Sequence, residues 1–269
     1  MQAYEPLLNK LSAFGTSDPS VESLCALELE NAAQEVQCMT RIPVLTKENM
    51  SQITELIEAF PPSSKATRAL LAFVASLSLR DENRQIAVQF GLSSTCVLLL
   101  QQHKDLSNET LYYVFDLVST LSANDGLARQ QLRPGIPYII AVLGSRKENI
   151  DVLLGGAISL STLSMISNAN SELTVERGGL QALINAYGYV SEQAAQVKRK
   201  SGSSRDQGED ACENALFWIK DALRKLCLAP LPSVDEALKA ADFGVYGKNI
   251  AVDELKWTLT FERKKVKVQ

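Results

Sequence analysis

Residues 91–100 read GLSSTCVLLL, and two similar stretches follow them at a fixed distance. GIPYIIAVL begins at Gly135 and GLQALINAY at Gly179, so the three opening glycines, Gly91 included, stand 44 residues apart. A regular period of this size is typical of arrays of helical repeats. Because such arrays offer their partners a long concave surface, the period indicates both an architecture and a kind of function.

A second recurring segment lies at the end of each unit. LVSTLSA spans 117–123 and SLSTLSM spans 159–165, with a looser copy, FVASLSL, at 73–79 and a degenerate one, DALRKLCL, at 221–228. Each unit is therefore predicted to contain a short helix, a glycine corner, a middle helix and a longer third helix.

This order of elements resembles the armadillo repeat family. In that family the short first helix carries an Asn near its start, and Asn83, Asn124 and Asn168 precede the three glycines by 8, 11 and 11 residues. The resemblance covers roughly residues 47–228 and departs from the family pattern at Pro134 and in a long excursion within the last unit. It implies an all-α, right-handed α-solenoid of armadillo or HEAT type, in which the long third helices line a groove.

Three segments are expected along the chain. Residues 1–45 form an N-terminal helical cap. Residues 46–229 hold the armadillo-like repeats, with a flexible insertion at about 201–208, where Ser, Gly and charged residues are concentrated. Residues 230–269 form a short helix and a tail without repeat character.

Local signals make finer predictions about several helices. Asp18 is the expected N-cap of a long helix, and Ser63 or Ser64 that of another. The adjacent Gly155 and Gly156 indicate either a close approach of two helices or a kink. In the C-terminal segment a capping box begins at Ser233. Beyond it, WTLTF alternates in a way typical of extended chain, and RKKVKVQ has the composition of a solvated tail.

Composition narrows the possible function classes. Hydrophobic residues make up 46 % of the 269 residues and aromatic residues only 6 %, which suits the small core of a helical repeat. A formal net charge of −4 and a pI of about 5.3 give the chain as a whole no electrostatic footprint for nucleic acid.

Neither the first residues of the chain nor its apolar runs have the pattern of a targeting signal. MQAYEPLLNK lacks the basic start and apolar core of a signal peptide, and no apolar run has the length of a membrane span. The five cysteines form no CxxC pair, so we expect buried thiols in a reducing compartment. These features predict a cytoplasmic or nuclear protein.

No constellation of catalytic residues emerges from the sequence. His103 is the single histidine and lies in the polar stretch QQHKD, which is typical of a surface position. A zinc site needs about four N or S ligands at short spacing, and phosphate loops and nucleophile elbows need glycine motifs that this sequence lacks. We therefore expect no enzymatic activity, no cofactor and no metal.

The third helices test the resemblance, because armadillo import receptors repeat a Trp there, followed four residues later by an Asn. These helices align on one leucine near the end of each terminal segment: Leu77, Leu121, Leu163 and Leu226. The Trp position is occupied by Ala72, Asp116, Ile158 and Asp221. The Asn position is occupied by Ser76, Thr120, Thr162 and Lys225. Since the ladder is missing, the sequence does not predict a nuclear-import receptor for basic signals.

Aromatic residues stand one turn before each of the two aspartates. The pairs are Tyr112 and Tyr113 before Asp116, and Phe217 and Trp218 before Asp221. Rings beside carboxylates suit a partner that presents Arg or Lys together with apolar anchors. The competing interpretation is structural, with one tyrosine and at least one ring of the second pair in the core. Because unpaired buried charges are costly, both aspartates should face solvent or a partner.

The candidate groove collects these third-helix positions. Its members are Tyr112, Tyr113, Asp116, Thr120, Ile158, Thr162, Phe217, Trp218, Asp221 and Lys225. We predict a non-catalytic adaptor or scaffold that binds a protein partner through the concave face of the array. An alternative of another class is a nucleotide-exchange cofactor of Hsp70, a role known for armadillo proteins of about this size. An RNA-binding helical repeat requires a basic face, which the acidic pI and the two aspartates oppose.

Overall fold

The fold is built from α-helices. The computed structural model describes residues 4–14, 18–201, 207–243 and 250–266, and these contain α-helices, one short 3₁₀ turn and no strand. The all-α class is therefore confirmed. Of the predicted flexible insertion, residues 202–206 lie outside the described residues.

The chain divides into two compact units, residues 1–135 and 136–269. The helices of the first unit are α1 (Glu5–Phe14), α2 (Pro19–Cys38), α3 (Lys47–Ala59), α4 (Lys65–Leu77), α5 (Asp81–Gln89), α6 (Leu92–Gln101), α7 (Asn108–Ser122) and α8 (Gly126–Leu132), followed by the 3₁₀ turn Arg133–Gly135. Those of the second unit are α9 (Ile136–Ser145), α10 (Ile150–Ser164), α11 (Asn168–Glu176), α12 (Gly179–Ser201), α13 (Gln207–Leu228), α14 (Pro232–Ala240) and α15 (Ile250–Val266). The three predicted segments stay predictions.

Side-chain caps fix the starts of the long helices of the first unit. The Asp18 carboxylate accepts a hydrogen bond from the backbone N–H of Ser20 at 2.9 Å, and Pro19 follows as the first residue of α2. Ser64 accepts from the N–H of Thr67 at 3.0 Å at the start of α4. Both predicted caps are confirmed, with Ser64 rather than Ser63 as the second. Each satisfies a donor that the helix itself leaves unpaired.

The glycine corners differ in the reason for their glycine. Gly91 has a φ of +87° and Gly178 a φ of +80°, a left-handed conformation that a side chain adopts only with strain. At Gly179 the constraint is space, because an added Cβ would lie 2.5 Å from the Cγ2 of Thr174. In its backbone conformation Gly178 therefore corresponds to Gly91, although the 44-residue period points to Gly179, the next residue.

Buried asparagines join the end of a long helix to the next short one. The Asn83 side chain donates to the carbonyl oxygen of Leu77 at 2.8 Å, and the Asn170 side chain donates to that of Leu163 at 2.8 Å. Asn124 and Asn168, the positions predicted from the spacing, are exposed. Asn170 therefore takes the place expected of Asn168. In the repeat between those of Asn83 and Asn170, the Arg129 side chain donates to the carbonyl oxygen of Ser122 at 2.8 Å.

The paired glycines in α10 mark a close approach to α9. A Cβ added at Gly156 would lie 2.8 Å from the Leu143 side chain, so a larger residue there would collide with α9. The close approach predicted for this glycine pair is therefore present at Gly156, in a helix that runs from Ile150 to Ser164.

The C-terminal segment corrects two predictions. WTLTF is part of α15, a helix whose residues Val252, Leu255 and Leu259 are buried against α12 and α13. Arg263, predicted in a solvated tail, is buried and donates to the carbonyl oxygens of Ala229 and Leu231, each at 2.6 Å. The β-branched residues suggested an extended chain, but the spacing of the apolar residues by three and four is helical.

The start of α14 also differs from its prediction. The helix begins at Pro232 rather than at a capping box, its N-cap residue is Leu231, and that residue makes no side-chain cap. Proline is tolerated at the first helical position, because the backbone N–H that it lacks would have no partner within the helix there.

Candidate functional site

A groove of about 470 Å³ lies on the first unit, where α2, α4 and α7 pack side by side. Its walls carry five charged or amide side chains from three helices: Glu30, Gln34 and Gln37 from α2, Arg68 from α4 and Glu109 from α7. Ala72 and Tyr113 contribute the small and the aromatic part of the lining. The groove is thus polar at its rim and shaped by a small residue at the position where import receptors have a Trp.

Arg68 ties the three helices together. Its guanidinium donates to the Glu30 carboxylate at 2.7 Å and to the Glu109 carboxylate at 2.5 Å. The hydrogen bond to Glu30 is the main reason why the pKa of Arg68 is raised. Two of the carboxylates around the groove are therefore already paired with one cation of the chain itself.

Tyr113 lies among these charges. Its side chain is half-buried and lines the groove, whereas its neighbour Tyr112 is 41 % exposed and does not. Burial raises the pKa of the Tyr113 phenol, and the negative charge of Glu30 raises it further. The hydroxyl therefore stays protonated at neutral pH, as a neutral group beside the groove carboxylates.

Asp116 stands one turn after Tyr113 on α7 and is half-buried. Burial raises the pKa of its carboxyl group above the ordinary value of 3.8. Among the described residues, none forms an ion pair or hydrogen bond with this carboxylate. The side chain is thus half-buried with an uncompensated charge, and the expectation that it faces solvent or a partner stays a prediction.

Asp221, the equivalent residue of the second unit, is compensated. The Lys225 ammonium lies 2.8 Å from its Oδ2 atom. Ser161 on α10 donates to the same oxygen at 2.7 Å and accepts from Lys225 at 2.7 Å. These three groups close a triangle between α10 and α13. Asp221 is half-buried as well and does not present a free charge to a partner.

The aromatic pairs do not behave as core residues. Phe217 is 64 % exposed, and Tyr113 and Trp218 are half-buried. In each pair the rings meet edge to face with their centroids 5.5 Å apart. The competing interpretation, in which one tyrosine and at least one ring of the second pair belong to the core, is therefore wrong.

The remaining predicted positions are half-buried residues of the long helices. The Thr162 hydroxyl donates to the carbonyl oxygen of Ile158 at 3.1 Å, within its own helix. Thr120 and Ile158 are half-buried. Of the predicted positions, Tyr113 lines the groove of the first unit and Asp116 lies one turn further along α7. In the second unit, Asp221 and Lys225 contact each other and Ser161.

Sequence reasoning missed Glu30, Arg68 and Glu109. The contacts of Arg68 join residues that are 38 and 41 positions apart, which is close to one repeat. A search for opposite charges at about one repeat of separation on the long helices would have found them. The armadillo pattern offered no such signal, because it concerns aromatic and amide positions.

The described part of the chain shows neither a metal-binding group of side chains nor a membrane-spanning helix. No group of three His, Cys, Asp or Glu residues there is arranged to hold a metal ion. Burial raises the pKa of the Cys96 and Cys227 thiols to about 12, which makes both poor nucleophiles at neutral pH. None of the helices searched combines the length and the apolar character that crossing a membrane requires.

Several solved structures share this architecture. An engineered protein matches with a TM-score of 0.64 at 12 % identity, covering 99 % of this chain and 98 % of its own. Computationally designed armadillo repeat proteins for modular peptide recognition match with a TM-score of 0.61 at 14 % identity, over 96 % of this chain and 98 % of the other. The chain has an armadillo-repeat fold.

A further designed armadillo repeat protein, solved in complex with the peptide (KR)4, matches with a TM-score of 0.58 at 13 % identity, over 96 % of this chain and 98 % of the other. No protein-family model matches the sequence, and no curated protein matches it either. At these identities the likeness concerns the fold.

Proposed function

We propose that the chain is a non-catalytic scaffold that binds a protein partner through the groove of α2, α4 and α7. The partner places an Arg or Lys side chain against Asp116 and an apolar side chain beside Tyr113. The observation that carries this proposal is the uncompensated, half-buried carboxylate of Asp116 beside the groove.

The electrostatics favour a cation as the bound group. A half-buried carboxylate without a partner is costly to keep charged, as its raised pKa records. A guanidinium or ammonium from a partner would supply the missing countercharge. Arg68 does not supply it, because its guanidinium is engaged by Glu30 and Glu109. The cation that compensates Asp116 must therefore come from a partner.

The chemistry of the groove also favours an apolar neighbour for that cation. The exposed edge of Tyr113 and the small side chain of Ala72 leave room for an aliphatic or aromatic group next to the charge. Aromatic residues and Arg are the side chains that contribute most to protein interfaces. Nothing in the groove favours the nucleotide-exchange alternative.

Fluorescence anisotropy with a labelled (KR)4 peptide tests the proposal. The peptide carries alternating Lys and Arg and is the ligand of one of the designed armadillo repeat proteins above. We expect binding that weakens about tenfold in Asp116→Asn, equivalent to about 1.4 kcal/mol. A peptide of the same length with Glu in place of Lys and Arg should not bind.

Asp221→Asn is the matched control, because it removes the same charge from the equivalent position of the second unit. We expect it to leave the affinity within about twofold, since Lys225 and Ser161 already satisfy that carboxylate. Equal losses in both variants would show that the peptide senses only net charge, and the proposed site would then be wrong. No binding of the wild-type chain at low salt would also refute it.

A further inference from the structure

The C-terminal helix α15 carries two aromatic rings on its outer side. Trp257 is 68 % exposed and Phe261 is 45 % exposed. The two rings are stacked in parallel, with centroids 5.3 Å apart and an interplanar angle of 7°. Such exposed aromatic pairs are uncommon on a free surface, and Trp is among the residues that dominate binding interfaces.

The rest of α15 explains why these rings point away from the unit. Val252, Leu255 and Leu259 are buried on the opposite side of the helix. Arg263 holds the same side through the carbonyl oxygens of Ala229 and Leu231. The helix is thus fixed in its rotation, and turning the aromatic rings inward would cost these contacts.

Two charged residues continue the aromatic stripe at its ends. Asp253 lies four residues before Trp257, and Lys264 lies three residues after Phe261; both side chains are exposed. At about 100° per residue the four side chains fall within about 80° of arc, so they form one narrow stripe. It runs from an acid through two rings to a base.

This order makes the stripe complementary to itself in the antiparallel direction. The midpoint between Asp253 and Lys264 falls at 258.5, and that between Trp257 and Phe261 at 259. The two midpoints differ by half a residue, about 0.75 Å along the helix axis. A two-fold axis through that point would therefore bring each acid to the opposing base and each ring pair to the other.

We propose that α15 is a self-association surface, on which two copies of the chain pair their C-terminal helices antiparallel. Asp253 of each copy meets Lys264 of the other, and the four aromatic rings form the centre. A two-fold contact of this kind uses the same patch twice and closes after two copies. The surface belongs to the second unit and is independent of the proposed groove on the first.

The size of the stripe sets the expected strength. A single pair of helices buries less than the roughly 1,200 Å² of the smallest standard interfaces. We therefore expect a dimer with a dissociation constant in the micromolar range, in exchange with the monomer. Because two ion pairs flank the rings, its formation should weaken with added salt.

Sedimentation velocity on the full chain, over a series from low micromolar to several hundred micromolar protein, tests the proposal. The wild type should shift from monomer to dimer. Asp253→Lys alone and Lys264→Glu alone should each stay monomeric, because each places like charges opposite one another. Both residues are exposed, so neither change disturbs the core.

The decisive arm mixes the two single variants in equal amounts. In a mixed dimer the lysine introduced at position 253 of one copy faces the glutamate introduced at position 264 of the other. The unchanged Lys264 of the first copy faces the unchanged Asp253 of the second, so both ion pairs are restored and dimers should reappear. The double variant Asp253→Lys with Lys264→Glu should dimerise as the wild type does.

Removing the rings provides an independent arm. Trp257→Ala with Phe261→Ala should remain monomeric over the same concentration series, because the centre of the contact is lost. Since both rings lie on the exposed side of α15, its far-ultraviolet circular dichroism spectrum should match that of the wild type.

A wild type that is monomeric throughout the series would overturn the proposal. So would a dimer that survives either single charge change, or a mixture of the two variants that stays monomeric. A monomeric chain in which Trp257→Ala abolishes capture by a different protein would assign the surface to that protein instead.

Discussion

Asp116 in the first unit and Asp221 in the second align at the same position of the third helix, yet only Asp221 has an ion-pair partner among the described residues. Asp221 is held by Lys225 at 2.8 Å and by Ser161 at 2.7 Å. Asp116 has no such partner among the described residues, and burial raises its pKa. The same residue type at the same place in the repeat is thus a structural group in one unit and a candidate binding group in the other.

Two neighbouring positions explain this difference. Four residues after the aspartate, α13 has Lys225 and α7 has Thr120. The long helix before α13 is α10, which has Ser161 two residues before Leu163. The long helix before α7 is α4, which has Ala75 two residues before Leu77. In the first unit a short hydroxyl thus replaces the ammonium that pairs with Asp221, and a methyl group replaces the hydroxyl. A conversion between the two states therefore requires only one or two substitutions.

The largest effect is expected when the first unit is given the ion pair of the second. Thr120→Lys places a cation four residues after Asp116, a spacing that favours pairing on a helix. The chain then supplies its own countercharge. We expect the affinity for (KR)4, measured by anisotropy, to fall at least tenfold, about 1.4 kcal/mol or more.

Thr162→Lys is the control for that change, because it introduces the same charge at the same repeat position of α10. Ile158, not an aspartate, lies four residues before it. We expect its affinity for the peptide to stay within about twofold of the wild type. If both lysines weaken binding equally, repulsion by net charge explains the result, and the claim that Asp116 binds the peptide is contradicted.

A smaller effect is expected when the second unit loses its ion pair. Lys225→Thr leaves Asp221 with Ser161 alone, so the free energy of unfolding should fall by about 0.5–1 kcal/mol. Equilibrium urea denaturation measures this loss. The exposed Lys239, changed to Thr, should leave the unfolding free energy nearly unchanged. An equal loss in both variants would mean that the triangle contributes nothing specific.

The smallest effect concerns pH and the stability of the first unit. The pKa of Asp116 is higher in the folded chain than its ordinary value, so its contribution to stability is full below the unfolded pKa and is lost as pH rises through the folded one. Asp116→Asn should therefore be slightly more stable than the wild type at pH 7. At a pH below 3.8 the two should coincide.

Thermal denaturation at a series of pH values checks that prediction. Asp105→Asn, at an exposed position in the loop before α7, should show no gain in stability at neutral pH. A loss of stability in Asp116→Asn at pH 7 would show that the carboxylate is stabilised in the folded chain, which contradicts an uncompensated charge.

The repeat architecture was predictable because its signals are local. The Asp18 cap and the left-handed turn at Gly91 depend on a few consecutive residues, and these residue types have strong preferences for such positions. The helix α15 was missed for the opposite reason. Its β-branched residues favour an extended chain locally, while the burial of Leu255 and Leu259 against α12 and α13 selects the helix.

The candidate site was predictable only in part. The helical period indicates that Tyr113 and Asp116 lie one turn apart on the long helix α7, of which Tyr113 lines the groove. Which carboxylate is neutralised depends on contacts between different helices, such as those of Arg68 with Glu30 and Glu109. Those contacts depend on side-chain reach and on neighbouring repeats. The sequence by itself therefore did not distinguish Asp116 from Asp221.

The most direct test of the central claim is a ¹³C NMR titration of the side-chain carboxyl groups, with and without the (KR)4 peptide. In the free chain the pKa of Asp116 should lie above 3.8, because the carboxyl is half-buried and uncompensated. Saturating peptide should lower that pKa, since a bound cation favours the ionised form, while the Asp221 carboxyl signal stays in place. An Asp116 signal that titrates as in the free chain, although the peptide is bound, would contradict the proposed role of this groove.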